Sequence, residues 1–238
     1  EKGLRAWASN PNVQGTNCTL EDDIKLEKEW EPISSYAGIF DGRGHTISGL
    51  KVTGTGPSMS GQNGMFGIIA GGCVKNLRLE NPVVNRTLTV PGIGIVYEVA
   101  NNGAIAGTLR GGQIIGCTVS NAAISKSTAG GTVGAIAGSV EANTTITGCC
   151  SVGSTVTGNT VDGGIVASVL DKNAAYLTAN ACYWDGGPEN GVGTNPDYQG
   201  VTKVDGTTTK WSQAIEAMEQ ASDRKFETDA SGKPTGVK

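Results

Sequence analysis

The apolar positions fall in short runs of four to six residues rich in Ile and Val, and the runs recur. Gly64-Met-Phe-Gly-Ile-Ile-Ala-Gly71 is followed by Cys73-Val-Lys-Asn-Leu-Arg-Leu79, and Gly103-Ala-Ile-Ala-Gly107 by Gln113-Ile-Ile-Gly-Cys-Thr-Val119. Gly134-Ala-Ile-Ala-Gly138 is followed by Thr145-Ile-Thr-Gly-Cys-Cys-Ser-Val152, and Gly163-Gly-Ile-Val-Ala167 by Leu177-Thr-Ala-Asn-Ala-Cys-Tyr183. The units start 39, 31 and 29 residues apart. Each reads as strand, turn, strand, turn, because β-branched residues fit a pleated half-buried surface and Gly or Asn clusters break the runs. No 3.6-residue period is sustained between residues 30 and 205. A repeat that cannot bury its own inward face must stack on its neighbours, so the pattern predicts an all-β solenoid.

Helical spacing appears only at the ends. Trp211, Ala214, Ile215, Met218 and Ala221 share one face of a predicted helix over Lys210–Ser222, with Thr209 as its expected N-cap. Leu4, Trp7 and Ala8 suggest a second helix at the start. Both are expected to cap open rungs. The four tryptophans, at 7, 30, 184 and 211, lie outside the repeats and suit plugs. The expected division of this single domain is an N-terminal cap and first strand (1–30), a repeat body (31–183), and a C-terminal loop, capping helix and tail (184–238).

Composition supports this picture. Gly supplies 37 of 238 residues, without a collagen period, and suits sharp corners. Charged residues are 17% of the chain and the net charge is −4, which argues against disorder and against nucleic-acid binding. Residues 87–170 hold only five charged side chains, Glu98, Arg110, Lys126, Glu141 and Asp162, so the walls should present mainly Ser, Thr and Asn. No apolar run is long enough to span a membrane. The chain opens on Glu1-Lys2-Gly3-Leu4 as a fragment does, so the missing leader carries no information on export.

Trp30-Glu-Pro-Ile33, Phe40-Asp-Gly-Arg-Gly-His-Thr-Ile-Ser-Gly-Leu-Lys-Val52, Gly64-Met-Phe-Gly67 and the Gly-Ala-Ile-Ala-Gly repeats together resemble the GLUG-motif proteins. These are adhesin-like bacterial surface proteins, and the motif also occurs in some immunoglobulin A proteases. Cys18-Thr-Leu-Glu-Asp-Asp-Ile-Lys-Leu26, Tyr183-Trp184-Asp185 and the late Trp211 helix resemble members of the gut Bacteroides type. The likeness covers nearly the whole chain, with departures at Gly163-Gly-Ile-Val-Ala167 and around residues 84–100. It implies a right-handed parallel β-helix, export to the bacterial surface and a role in attachment, and it hands over no catalytic residues.

The candidate chemistry is sparse. Asp41-Gly42-Arg43-Gly44 reads as a structural corner, although sugar-cleaving β-helix enzymes carry Asp-Gly turns. Such enzymes need clustered carboxylates, and the repeat body is too poor in Asp and Glu to build a cluster. His45 is the only histidine and reads as a turn residue; no Gly-x-Ser-x-Gly is present. Gly92-Ile-Gly94 is no dinucleotide fingerprint. Cys117, Cys149 and Cys182 fall at one repeat position, which Leu77 occupies earlier, so they should form an inward ladder of reduced thiols. Cys150 must then face outward, where its inertness is not assured. Cys18 and Cys73 have no evident partner. No C-x-x-C is present and zinc is not expected; no cofactor is expected, with calcium left open. The acidic groups are Glu21-Asp22-Asp23 and Asp185, Glu189 and Asp197. Tyr183, Trp184, Asp185 and Tyr198, on a loop rich in Gly, Asn and Pro, form the candidate ligand surface, where aromatic faces could stack on sugar rings; the alternative is an ordinary solvated loop that covers the end of the solenoid with Trp184 buried. The expected function is a non-catalytic, adhesin-like surface module that contacts glycans or host and matrix proteins. The rivals are a spacer domain of a larger surface protein and a polysaccharide-degrading enzyme.

Overall fold

The computed structural model describes residues 1–56, 61–88, 100–126, 130–158, 161–170 and 176–238. The chain winds through five stacked coils flanked by partial turns, and every strand pairs in parallel with the same strand of the next coil, apart from one hairpin near the C-terminus. This is a parallel β-helix. The broadest sheet has eight strands, among them Cys18–Thr19, Ile39–Asp41, Cys73–Lys75, Ala106–Ile115, Ala137–Thr147 and Val166–Val169. A seven-stranded sheet runs through Ile24–Lys25, Thr46–Ser48, Arg78–Glu80, Thr118–Ser120, Cys150–Val152, Cys182–Trp184 and Val201–Lys203. Two four-stranded sheets and a two-stranded pair complete the walls.

Register turns the repeat into columns. Phe40, Val74, Ile114 and Ile146 lie in register, as do Val52, Val84, Ile124 and Val156. All eight are buried. Each such side chain contributes about 1.5–3 kcal/mol by leaving water, so the stacked columns dominate stability. The recurring glycine of the repeat has a steric cause. A Cβ at Gly103, Gly134 or Gly163 would run into the carbonyl oxygen three residues on, of Ala106, Ala137 or Val166. A second column sets the corner into the seven-stranded sheet. Asn76, Gly116, Gly148 and Ala181 all have left-handed backbone, with φ between 51° and 60°. Each residue that follows, Leu77, Cys117, Cys149 or Cys182, turns inward.

The two ends differ from expectation in an informative way. Helix α1, Lys2–Ala8, caps the first coil. Its Trp7 ring packs on Tyr36 (5.8 Å between centroids) and Phe40 (5.5 Å). Trp30 is buried under the corner of the next coil, where its indole N–H donates to Met65 O. Helix α2, Trp211–Ser222, begins at N-cap Lys210 and not Thr209. It lies along a side of the solenoid. Trp211, Ala214 and Met218 pack with Val204, Phe226 and Val237 against outward-facing Cys150 and Val152, a second core separate from the first. The reason is that this stretch of wall is apolar on its outer face and needs a cover. The far end is closed by the loop over residues 186–200: Gly191 and Gly200 carbonyls accept from Ile165 and Cys182 N–H.

Candidate binding groove

Beyond α2 the chain returns across the coils. The hairpin of Phe226–Thr228 and Pro234–Val237 crosses the seven-stranded wall toward its beginning. Three tethers hold this strap. At the last coil, Asp185 accepts from Trp211 Nε1 (3.1 Å) and Lys233 Nζ (2.7 Å) on one oxygen and from Gly153 N–H (2.5 Å) on the other. At the second coil, Arg78 donates to Glu227 (2.9 Å) and to the Val237 carbonyl (2.5 Å). Arg224 donates to the Asn76 side-chain oxygen (3.1 Å). The tail ends beside the first-coil turn, where a Cβ on Gly44 would stand 2.6 Å from Val237 O.

Between hairpin and wall lies a groove of about 590 Å³. Thr46, Arg78, Glu80, Ser120, Asn121, Val152 and Gly153 form the wall side, and Asp229, Ser231, Lys233, Pro234 and Thr235 the hairpin side. The Arg78 and Lys233 charges are engaged by Glu227 and Asp185. Asp229 is held below the ordinary carboxylate range by the Ser231 hydroxyl and the backbone N–H of Lys233. The groove therefore offers hydroxyl, amide and carboxylate groups, and its two cations are already paired. That lining can hydrogen-bond a hydroxyl-rich or peptide chain.

The four residues expected to form a ligand surface do not share an open face. Trp184 is buried as the inward residue of its rung, opposite Ser151. Its indole donates to Pro188 O, and its ring fills the space that Gly164 and Gly191 leave. No face remains for a sugar to stack on. Asp185 is the strap's tether. Tyr183 packs against the second core, and the Tyr198 hydroxyl donates to Leu177 O. The acidic Glu189 pairs with Lys203 (2.6 Å). Of the groove residues, sequence reasoning singled out none. The turn from Asp229 to Pro234 went unread there, and nothing local tells which wall it crosses.

The corner at Asp41 is structural as expected. The Asp41 carboxylate accepts from Arg43 N–H (3.0 Å) and the Asn76 amide (2.9 Å). Burial would raise its pKa, but Asn76, the Arg43 N–H and Lys75 outweigh that and hold it low. His45 lies on the same turn, 3.4 Å from Asp23. Leu77, Cys117, Cys149 and Cys182 form the expected buried column, with Cys117 N–H donating to Cys149 Sγ at 3.4 Å and the thiols free. Burial pushes the Cys149 and Cys182 thiols up. Cys150 does face outward, yet α2 covers it fully, so its exposure is corrected: burial pushes that thiol up as well. Cys18 and Cys73 stand one strand apart from being neighbours, since Cys18 pairs with Phe40 and Ile39 with Cys73. Two rungs span about 9–10 Å, beyond disulfide reach. Among the described residues no group of His, Cys, Asp and Glu is placed to hold a metal ion. Gly92–Gly94 lies outside the described residues.

Fold and groove together define an exposed-wall parallel β-helix with a lateral C-terminal strap. No family model matches the chain, so the GLUG-motif likeness stays a resemblance. The chain is similar to a solved structure, that of a putative immunoglobulin A1 protease from Bacteroides ovatus. The two share 19% identity and a TM-score of 0.58 over 93% of this chain and 86% of the other. An alignment of 149 positions that covers 53% of the chain is 29% identical to halomucin of Haloquadratum walsbyi. That match spans 2% of halomucin's length. The structural neighbour overturns the exclusion of catalysis drawn from the sequence, because a protein described as a protease carries this fold along almost its whole length. At this identity the likeness carries the fold and no mechanism. No helix among the described residues is long and apolar enough to cross a membrane.

Proposed function

We propose that the chain is an adhesin-like contact module of an extracellular bacterial surface protein, of the GLUG-motif kind, and that the groove under the strap holds its partner, a glycan or a host or matrix protein. The observation that carries this reading is the groove itself: a volume of about 590 Å³ lined by Glu80, Ser120 and Asn121, none of which spends its side chain on a strap tether. The likeness to halomucin and to a Bacteroides protein supports the extracellular placement. Arrays of glycans and of matrix proteins test it, with the native chain beside a Glu80→Ala, Ser120→Ala variant that spares the tethers. Losing hydrogen bonds to a charged group costs about 1.5–3 kcal/mol, so retention of the bound ligand should weaken at least about tenfold. Equal retention by both proteins would remove the groove from the account, and an array with no retained ligand would favour a spacer.

A second reading follows from the structural neighbour. If the chain cleaves peptide bonds, its one imidazole–carboxylate pair among the described residues is His45 with Asp23. Fragments of immunoglobulin A1 formed by the native chain and not by His45→Ala would favour it.

A further inference from the structure

The N-terminal end of the solenoid is closed over its core but open along its strands. Cys18–Thr19 and Ile24–Lys25 are the terminal strands of their two sheets. Leu20 N–H donates to Asp41 O (3.0 Å) and Leu26 N–H to Ser48 O (2.9 Å), both toward the next coil. Peptide groups alternate in direction along a strand, so the N–H and C=O groups of Thr19 and Lys25 point off the end of the stack. At the opposite end the loop over residues 186–200 supplies carbonyls to Ile165 and Cys182 of the last rungs.

A trough of about 550 Å³ follows this open edge, between α1 and residues 17–24. Leu4, Trp7, Cys18 and Leu20 give it an apolar side, and Glu1, Glu21, Asp22 and Asp23 an acidic rim. No Lys or Arg is among its described lining residues. Glu21 and Asp23 are engaged by Arg43 and His45, and Glu1 by Arg5, whereas Asp22 has no ion-pair partner among the described residues. The Trp7 indole N–H is buried there without an acceptor.

We propose that this edge docks an extended basic peptide strand, which adds a rung to the solenoid by β-augmentation. The outward peptide groups of Thr19 and Lys25 supply its backbone hydrogen bonds. Alternate side chains of the guest fall on the apolar side and on the acidic rim, so lysine or arginine at every second position matches the trough. The inference stands apart from the groove under the strap, with which the trough shares no lining residue.

The test is amide hydrogen exchange followed residue by residue by NMR, with the full chain and an octapeptide alternating lysine and valine. Exchange at Thr19 and Lys25 should slow on addition of the peptide, as for amides entering a protected hydrogen bond. A peptide with glutamate in place of lysine should leave both amides unchanged. So should the lysine peptide methylated on alternate backbone nitrogens. Asp22→Asn, at an exposed position that leaves the fold alone, should weaken the lysine peptide about threefold. Unchanged exchange at Thr19 and Lys25 with the lysine peptide, or equal protection by the glutamate peptide, would overturn the proposal.

Discussion

Ala181 holds φ at 51°, in a column where two of the other corner residues are glycine and the third is Asn76. A left-handed backbone costs an L-residue with a Cβ about 1–2 kcal/mol, and asparagine tolerates it better than alanine. The corner imposes this geometry because each coil must turn sharply before its inward Leu77, Cys117, Cys149 or Cys182. Ala181→Gly should therefore stabilise the protein by about 1 kcal/mol, read as a shift of the urea midpoint at constant slope. A midpoint that falls would show that the methyl's packing against the second core outweighs the strain. Gly148 in the same column works under a further constraint, since a Cβ there would stand 2.6 Å from Ser222 Cβ at the end of α2. One small residue thus sets a corner and admits a helix.

At the scale of elements, α2 is the part whose role the sequence left hidden. Its amphipathic face was legible from Trp211, Ala214 and Met218, and its end at Ser222 was found. What it covers was not, because a wall residue such as Cys150 reads alike whether it faces water or a helix. The coils were legible for the opposite reason. Their contacts join like positions of successive repeats, so a one-dimensional pattern carries the register. The strap contacts join positions as distant as Arg78 and Val237, and no period links those. The same blindness left Trp184 open between a ligand surface and a buried place under its loop, and the room its ring fills is left by Gly164 and Gly191. Met218 is fully buried in the second core. Met218→Ala should cost about 2–5 kcal/mol, and the cost should fall on the strap. Thiol labelling of Cys150 should accelerate while the β-sheet circular dichroism stays intact. Labelling that stays as slow as in the native chain would mean that the coils alone bury Cys150.

For the whole molecule, the strap is what converts a plain stack into one with a groove. A solenoid gives flat walls in which each coil touches only its neighbours. Here Asp185 in the last coil, Arg78 in the second and the turn at Gly44 in the first are all reached by one C-terminal segment. That segment resists separation of the coils and shapes the volume in which the proposed partner sits. The central claim is therefore a position: the tail lies beside the first coils and not beyond the last. Spin labels at Arg43 and Thr235, in a chain with Cys18 and Cys73 replaced by serine, measure it by pulsed electron resonance. A tail crossing the wall places the labels within about 20 Å of each other, four rung spacings or less. A distribution centred about 20 Å farther out, as for a tail stacked past the fifth coil, would contradict the strap and the groove with it.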